Sequence, residues 1–269
     1  MSADQRSLLD HVTVQHGPQK LLAHYFLKAY RQVRDQGIEL RWCDDFARLC
    51  EVRRRNATNP MMAAAPQFDP VYSDIAPGSF WLEGVDPSGN TMLTHAVRLF
   101  DWPSTTLKRE FDTMRMHYRN PAPYIAAGES ANITAPAATR ITGCTILGGA
   151  MWVRPDYRRR GLTRIVPRIS RTLAYTRWNT VYTWGFMDFD LHAGGASRAY
   201  GRYTVEPGVS VNLACWGPSD SLLLWMDQET LLAEIEEAVA QGSSDLSRKI
   251  DMPSTKSSAP RRQGNNTRL

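Results

Sequence analysis

Three arginines, a glycine, a leucine and a threonine run together at Arg158-Arg159-Arg160-Gly161-Leu162-Thr163, where the pattern predicts the start of a helix. Upstream, Ile146 to Val153 is an apolar run that reads as a strand, stopped at Arg154-Pro155 because proline cannot donate to a sheet ladder. Downstream, Leu162, Ile165, Val166, Ile169 and Leu173 recur at the spacing of one helix face, and Thr180 to Met187 reads as a second strand. Strand, turn, helix and strand form a βαβ unit whose helix N-terminus points out from the sheet. The first amides of a helix have no intrahelical partner and its dipole is positive there, so the turn suits a phosphate group. Arg158, Arg159, Arg160 and Arg164 add formal positive charge around it. A second reactive group, Asp188, Asp190 and His192, follows the second strand, at a strand end where ligands commonly sit. Asp188 and Asp190 share strand parity, and His192 has the unperturbed pKa best suited to accept a proton near neutrality.

These residues must be positioned by the rest of the chain. Residues Met1 to Gln19 show no clear periodicity. Lys20 to Gln36 reads as an amphipathic helix with Leu22, Tyr25, Phe26 and Val33 on one face, ended by Gly37. Ile38 to Cys43 alternates as a half-buried strand does, and Asp44 or Asp45 caps a helix carrying Phe46, Leu49 and Val52. Asn56 to Gly78 predicts no element. Ser79 to Val85 and Met92 to Phe100 read as a hairpin turned by Asp86-Pro87-Ser88-Gly89-Asn90. Asp101 to Arg140 then forms an insertion, with a helix from Ser104 to His117 that turns Leu107, Phe111 and Met114 inward, followed by a Pro/Ala loop from Asn120 to Ala138. Ile141 to Val153 is a strand with Gly148-Gly149 in its middle, which marks a bulge or the close approach of a ligand. A short helix from Gly194 to Tyr203, strands at Val205 to Cys215 and Leu222 to Met226, and a helix from Gln228 to Gln241 stopped by Gly242 complete the expectation.

Arg158-Arg159-Arg160-Gly161-Leu162-Thr163, led in by Val153-Arg154-Pro155-Asp156-Tyr157, resembles the Arg/Gln-x-x-Gly-x-Gly/Ala loop of the GNAT family of N-acetyltransferases. Thr163 stands where that family usually has Gly or Ala, and Pro167 predicts a kink in the helix. Ala199-Tyr200-Gly201-Arg202-Tyr203-Thr204-Val205-Glu206-Pro207 resembles the family's closing Leu-Tyr-x-x-x-Gly-Phe-x-Pro signature, with Thr204-Val205 in place of Gly-Phe. The order of elements follows the family from about Ile38 to Met226. The resemblance implies an α/β fold with a mixed, mostly antiparallel central sheet, a splayed fourth and fifth strand pair and flanking helices. To this the chain adds the N-terminal helix and a C-terminal helix.

The resemblance also implies the chemistry. Amides of Arg158, Arg159, Arg160, Gly161, Leu162 and Thr163 would hold the pyrophosphate of acetyl-CoA, and the backbone of Trp152 and Val153 would contact its pantetheine arm. The bulge at Gly148-Gly149 would splay the strands and leave a cleft for that arm. Transfer of acetyl to an amine by direct attack in a ternary complex needs a proton donor for the thiolate and an acceptor for the amine proton. Tyr200, on the family's tyrosine position, is the candidate acid. Asp190 and His192 are the candidate bases, with Asp188 and a water-mediated route left open. The acceptor amine is not legible, and Asp101 to Arg140 is expected to border its pocket. A CoA-binding or regulatory protein of the same fold without catalysis is the alternative. Homodimers are common among proteins of this resemblance.

Bulk properties narrow the class. With 269 residues, 42% hydrophobic and 22% charged, the chain can bury a substantial core. A net charge of +5 raises nucleic acid as a partner, but six basic and two acidic residues from Ser243 onward supply +4 of it. Residues 20–242 are expected to form one acyltransferase domain, after a poorly defined segment 1–19 and before a disordered basic tail, 243–269. A nucleic-acid partner is therefore disfavoured. No apolar run reaches membrane-spanning length and the N-terminus lacks a signal pattern, which places the expectation in the cytoplasm. Cys43, Cys50, Cys144 and Cys215 form no C-x-x-C pair, so neither a metal site nor a disulfide framework is expected.

Overall fold

The computed structural model describes residues 6–56 and 65–250. Its strands are β1 (Arg6–Ser7), β2 (Glu39–Cys43), β3 (Phe80–Val85), β4 (Thr91–Trp102), β5 (Ser130–Ile133), β6 (Gly143–Val153), β7 (Tyr182–Met187), β8 (Thr204–Leu213) and β9 (Gly217–Asp227). They form one nine-stranded sheet in the order β1-β2-β3-β4-β6-β7-β9-β8-β5. Every neighbouring pair is antiparallel except β6 and β7. That parallel pair matches only Thr145–Leu147 with Tyr182–Trp184. Two antiparallel half-sheets thus meet along a seam of three residue pairs. A parallel pair needs a crossover, and helix α5 (Leu162–Trp178) supplies it. This is the mixed, mostly antiparallel sheet with a splayed pair that the resemblance implies.

The remaining helices are α1 (Gln19–Arg34), α2 (Phe46–Asn56), α3 (Leu107–Asp112), α4 (Ala122–Ala126), α6 (Phe189–Ala193), α7 (Ala196–Tyr200) and α8 (Gln228–Ile250). Strand alternation divides the core between the two faces of the sheet. Phe80, Leu82 and Ile146 join α1, α5 and α8 in one cluster. Trp81 and Leu147 join α2, α3 and the insertion in the other. On the first face Arg171 of α5 is buried against Glu234 of α8, and Arg168 reaches the same carboxylate at 2.8 Å. Burial pushes the Glu234 carboxyl up, and Arg171 and Arg168 more than offset this, leaving it below its usual range.

Helix α5 is one unbroken stretch through Pro167, buried along most of its length. Some expectations change. Helix α8 continues through Gly242 to Ile250, since an isolated glycine costs only about 1 kcal/mol inside a helix. Residues 251–269 of the expected tail lie outside the described residues. The helix expected from Gly194 to Tyr203 is shorter, α7 ended at Gly201, so Tyr203 falls beyond it, and a separate short helix, α6 capped by Asp188, precedes it.

The insertion departs most. Helix α3 stops at Asp112, and Met114 takes a left-handed backbone (φ 59°), although Leu107, Phe111 and Met114 are all buried as expected. The stretch read as a Pro/Ala loop contains β5, which pairs antiparallel with β8 at the far edge of the sheet. The insertion therefore leaves β4 in one half-sheet, crosses the seam, joins the edge of the other and returns to β6. Lys108 donates to the Ile133 carbonyl (2.7 Å), and the Ile133 amide to Asp112 (2.8 Å), tying α3 to β5.

Candidate active site

The basic turn comes first. Pro155–Tyr157 make a single helical turn, Arg159 (φ 62°) and Gly161 (φ 74°) adopt left-handed conformations, and α5 begins at Leu162. A Cβ at Gly161 would meet no atom, so glycine is favoured there by backbone angle rather than by space. Among the described residues, the amides of Arg159, Arg160, Gly161, Leu162 and Thr163 donate to no backbone carbonyl. They form a consecutive run of donors at a helix start, the arrangement that suits a phosphate. The arginines are partly engaged with the turn itself. Arg158 Nε donates to the Val153 carbonyl (3.0 Å), and Arg160 donates to the Asp156 carbonyl (3.0 Å) while lying 4.4 Å from the Tyr157 ring centroid.

From this turn the chain leads back along β6 to a fork. Beyond Leu147 and Trp184 the two strands no longer pair. On the β4 side, Thr94 faces Trp152 but Ala96 faces Gly149, so His95 alone stands opposite Ala150 and Met151. This is a β-bulge, with Ala150 at φ 52° and its carbonyl accepting from Thr94 Oγ1 at 2.9 Å. The bulge expected at Gly148-Gly149 thus lies one step further on. Gly149 and, on β7, Gly185 serve close packing instead. A Cβ at Gly149 would lie 2.8 Å from the Phe68 ring, and one at Gly185 would lie 2.8 Å from the Gly148 carbonyl oxygen.

The fork opens into a cleft of about 490 Å³ that reaches both faces of the sheet. Tyr200, Tyr203, His95 and Met151 line it toward α5 and α7, while Phe68, Phe111, His117 and Trp216 line it on the insertion side. The buried guanidinium of Arg98 builds that second side. It donates to the carbonyls of Gln67 (2.8 Å), Met116 (2.8 Å) and Asp74 (3.0 Å), fastening the loop after α2 to the insertion.

Two polar groups, Tyr200 and His95, stand at the fork. Burial pushes the Tyr200 phenol up to about 12, with Tyr203 adding to it, so the hydroxyl keeps its proton at neutral pH. The Tyr200 carbonyl accepts from Arg171 (3.0 Å), which locks the end of α7. His95 Nδ1 lies 2.9 Å from Ser170 Oγ, and Ser170 donates its one proton to the Val166 carbonyl (3.1 Å). His95 therefore donates from Nδ1, and the lone pair of Nε2 is on the ring edge facing Gly148. Burial, and then Arg171, hold this imidazole down at about 3, so it is neutral.

The other sequence candidates separate. Asp188 lines the cleft, but its carboxylate caps α6 through the Asp190 and Leu191 amides. Asp190 and His192 sit on exposed α6 outside the cleft lining, with His192 Nδ1 2.8 Å from Ser197 Oγ. Trp152 and Val153 lie between the fork and the basic turn, on a stretch of β6 whose other edge β7 has already left. His95, His117 and Gln67 escaped the sequence reading. His95 gains meaning only once β4 is registered against the bulge. His117 ends a predicted helix, Gln67 lies in a stretch with no predicted element, and neither carries a local pattern.

No family model matches the chain, and no curated protein matches its sequence. Among solved structures, a spermidine N-acetyltransferase from Vibrio cholerae in complex with CoA and spermine aligns at 10% identity and TM-score 0.43, over 73% of this chain and 99% of that one. A protein from Bacillus halodurans aligns at 9% identity and TM-score 0.43, over 76% and 92% of the two chains. By its strand order, by the short parallel seam and by the fork beyond it, the chain has the fold that the resemblance to the GNAT acetyltransferases implies.

Proposed function

We propose that the protein transfers an acyl group, acetyl in the first instance, from a CoA thioester to an amine. The observation that carries this reading is the fork: two parallel strands part after three residue pairs, and β6 then leads to a helix N-terminus with a run of amides that donate to no backbone carbonyl. The amides of Arg159 to Thr163 would hold the pyrophosphate, with Arg158, Arg159 and Arg160 adding charge. The free edge of β6 from Gly148 through Trp152 and Val153 would bond the amides of the pantetheine arm as an added strand does. The thioester supplies an acyl group already activated for attack.

The remaining steps belong to the protein's own groups. The neutral amine nitrogen forms a bond to the acyl carbon as the carbon–sulfur bond breaks. A phenol raised to about 12 is too weak an acid to surrender its proton to a thiolate, so Tyr200 donates a hydrogen bond to the departing sulfur. An imidazole that protonates only near pH 3 is no net base at neutrality. His95 Nε2 instead accepts a hydrogen bond from an N–H brought to the fork, and the amine proton passes through water to the sulfur. No covalent enzyme intermediate is needed.

Calorimetric titration with acetyl-CoA tests the reading. Micromolar binding is expected, and Gly161→Asp should weaken it about a hundredfold, roughly 2.7 kcal/mol. The variant places a side chain and a negative charge among the phosphate-facing amides. Absence of binding in the unaltered protein would remove the acyltransferase reading.

A further inference from the structure

A second cavity lies beside the basic turn. It measures about 230 Å³ and is walled by α1, α5 and α8. Gly161, Arg164 and Arg168 line it at helical spacing down one face of α5, starting at its N-cap. Lys28 and Gln32 line it from α1, and Ala238 from α8. Pockets that enclose a small molecule hold about 300–1,000 Å³, so this one suits a single group of a larger ligand. Gly161 belongs to both the cavity and the turn, so a ligand seated on the turn can place its next group there.

The lining is cationic. Lys28, Arg164 and Arg168 contribute three positive charges, and among the described residues none of the wall is acidic. Glu234 gives one oxygen to Arg168 at 2.8 Å and the other to Arg171, so a single carboxylate is shared by two guanidiniums. Glu237, next to Ala238, is paired with Arg202. Lys28 Nζ donates to the Ala238 carbonyl, which holds the ammonium at the wall. Arg164 is exposed, and its guanidinium makes no hydrogen bond or ion pair among the described residues. Two guanidiniums and an ammonium suit a phosphomonoester, which carries about two negative charges near neutrality and three acceptor oxygens.

In CoA one ribose separates the pyrophosphate from a 3′-phosphate. We infer that this cavity holds the adenosine 3′-phosphate, between Lys28, Arg164 and Arg168, while the amides of the turn hold the pyrophosphate. This rests on the acyltransferase reading. The site is an addition of this chain: the resemblance to the GNAT proteins runs from about Ile38 to Met226, and both α1 and α8 lie outside it. Besides covering the sheet, the two added helices turn one face of α5 into a site selective for the phosphorylated nucleotide.

Calorimetry on the full chain, with acetyl-CoA beside acetyl-3′-dephospho-CoA, tests this. Acetyl-CoA should bind at least about tenfold more tightly, the ratio expected for a charged group with charged hydrogen-bond partners. Arg164→Met, at an exposed position, should remove most of that preference by weakening acetyl-CoA alone. Lys28→Met should act in the same direction. Arg159→Met, on the turn but outside the cavity, should weaken both ligands by one common factor. Equal affinity for the two ligands, or a preference that survives both Arg164→Met and Lys28→Met, would overturn the inference and leave the acyltransferase reading standing. So would an equal loss for both ligands in Arg164→Met, since the arginine would then act only as general charge. Binding of neither ligand to the unaltered protein would overturn the acyltransferase reading and this site with it.

Discussion

The basic turn and the cleft are built in opposite ways. The turn, Arg158 to Thr163, is contiguous and largely exposed, with its charge displayed on arginines. The cleft is assembled from the loop after α2, from β4, from the insertion and from the β8–β9 turn, and many of its polar groups are buried. At the first, function depends on local backbone geometry that six residues can set by themselves. At the second it depends on Arg98, which gathers three carbonyls from two segments distant in sequence. A site of the first kind should tolerate change in folding terms and fail in binding. The second should do the reverse.

Substitutions separate the two, beginning with the group between them. Tyr200→Phe should lower kcat about 10²- to 10³-fold, the usual loss for one donor aimed at developing negative charge. The affinity for acetyl-CoA should stay within twofold. Steady-state kinetics beside calorimetry decides it, and unchanged kcat would move the thiolate partner elsewhere, with Tyr203 next in line on the cleft wall.

Arg98→Met should cost about 3 kcal/mol of stability, because buried carbonyls lose a charged donor. Denaturant titration should register that loss, while acetyl-CoA titration, which the proposed function assigns to the basic turn, should register little. If both fall together, the turn and the cleft are not independent and the contrast collapses.

The smallest effect concerns pH. The folded pKa of His117, about 3, lies below the ordinary imidazole value. Below pH 6.5 the unfolded chain then binds a proton that the native state refuses. Stability from this group is complete above that pH and is lost as pH falls toward 3, by about 1.4 kcal/mol per unit. Urea unfolding between pH 7 and 5 should show a shallower slope in His117→Gln than in the parent protein. An identical slope would mean that His117 is not a buried neutral imidazole.

Much of the frame was legible because its signals are local. The apolar stripe of α5, the proline after β6, the hairpin residues Asp86 to Asn90 and the glycine opening α5 each state their role within a few residues. Strand β5 was not legible: Ser130-Ala131-Asn132-Ile133 is too short to show a period, and only pairing with β8 makes it a strand. The bulge was misplaced by one step, since glycine pairs signal both kinks and close contacts, and only the Phe68 ring and the Gly148 carbonyl distinguish them.

The sequence by itself determined the order of elements, the phosphate-suited turn and the aromatic character of the inner chain segments, because periodicity and turn chemistry act over one or two helical turns. The tertiary structure alone decided the rest. It parted β6 from β7 after three pairs, carried the insertion across the seam, and turned His95, Gln67 and His117 toward one cavity. Those contacts join residues tens of positions apart, and no local preference encodes a contact whose energy exists only when both partners are already in place.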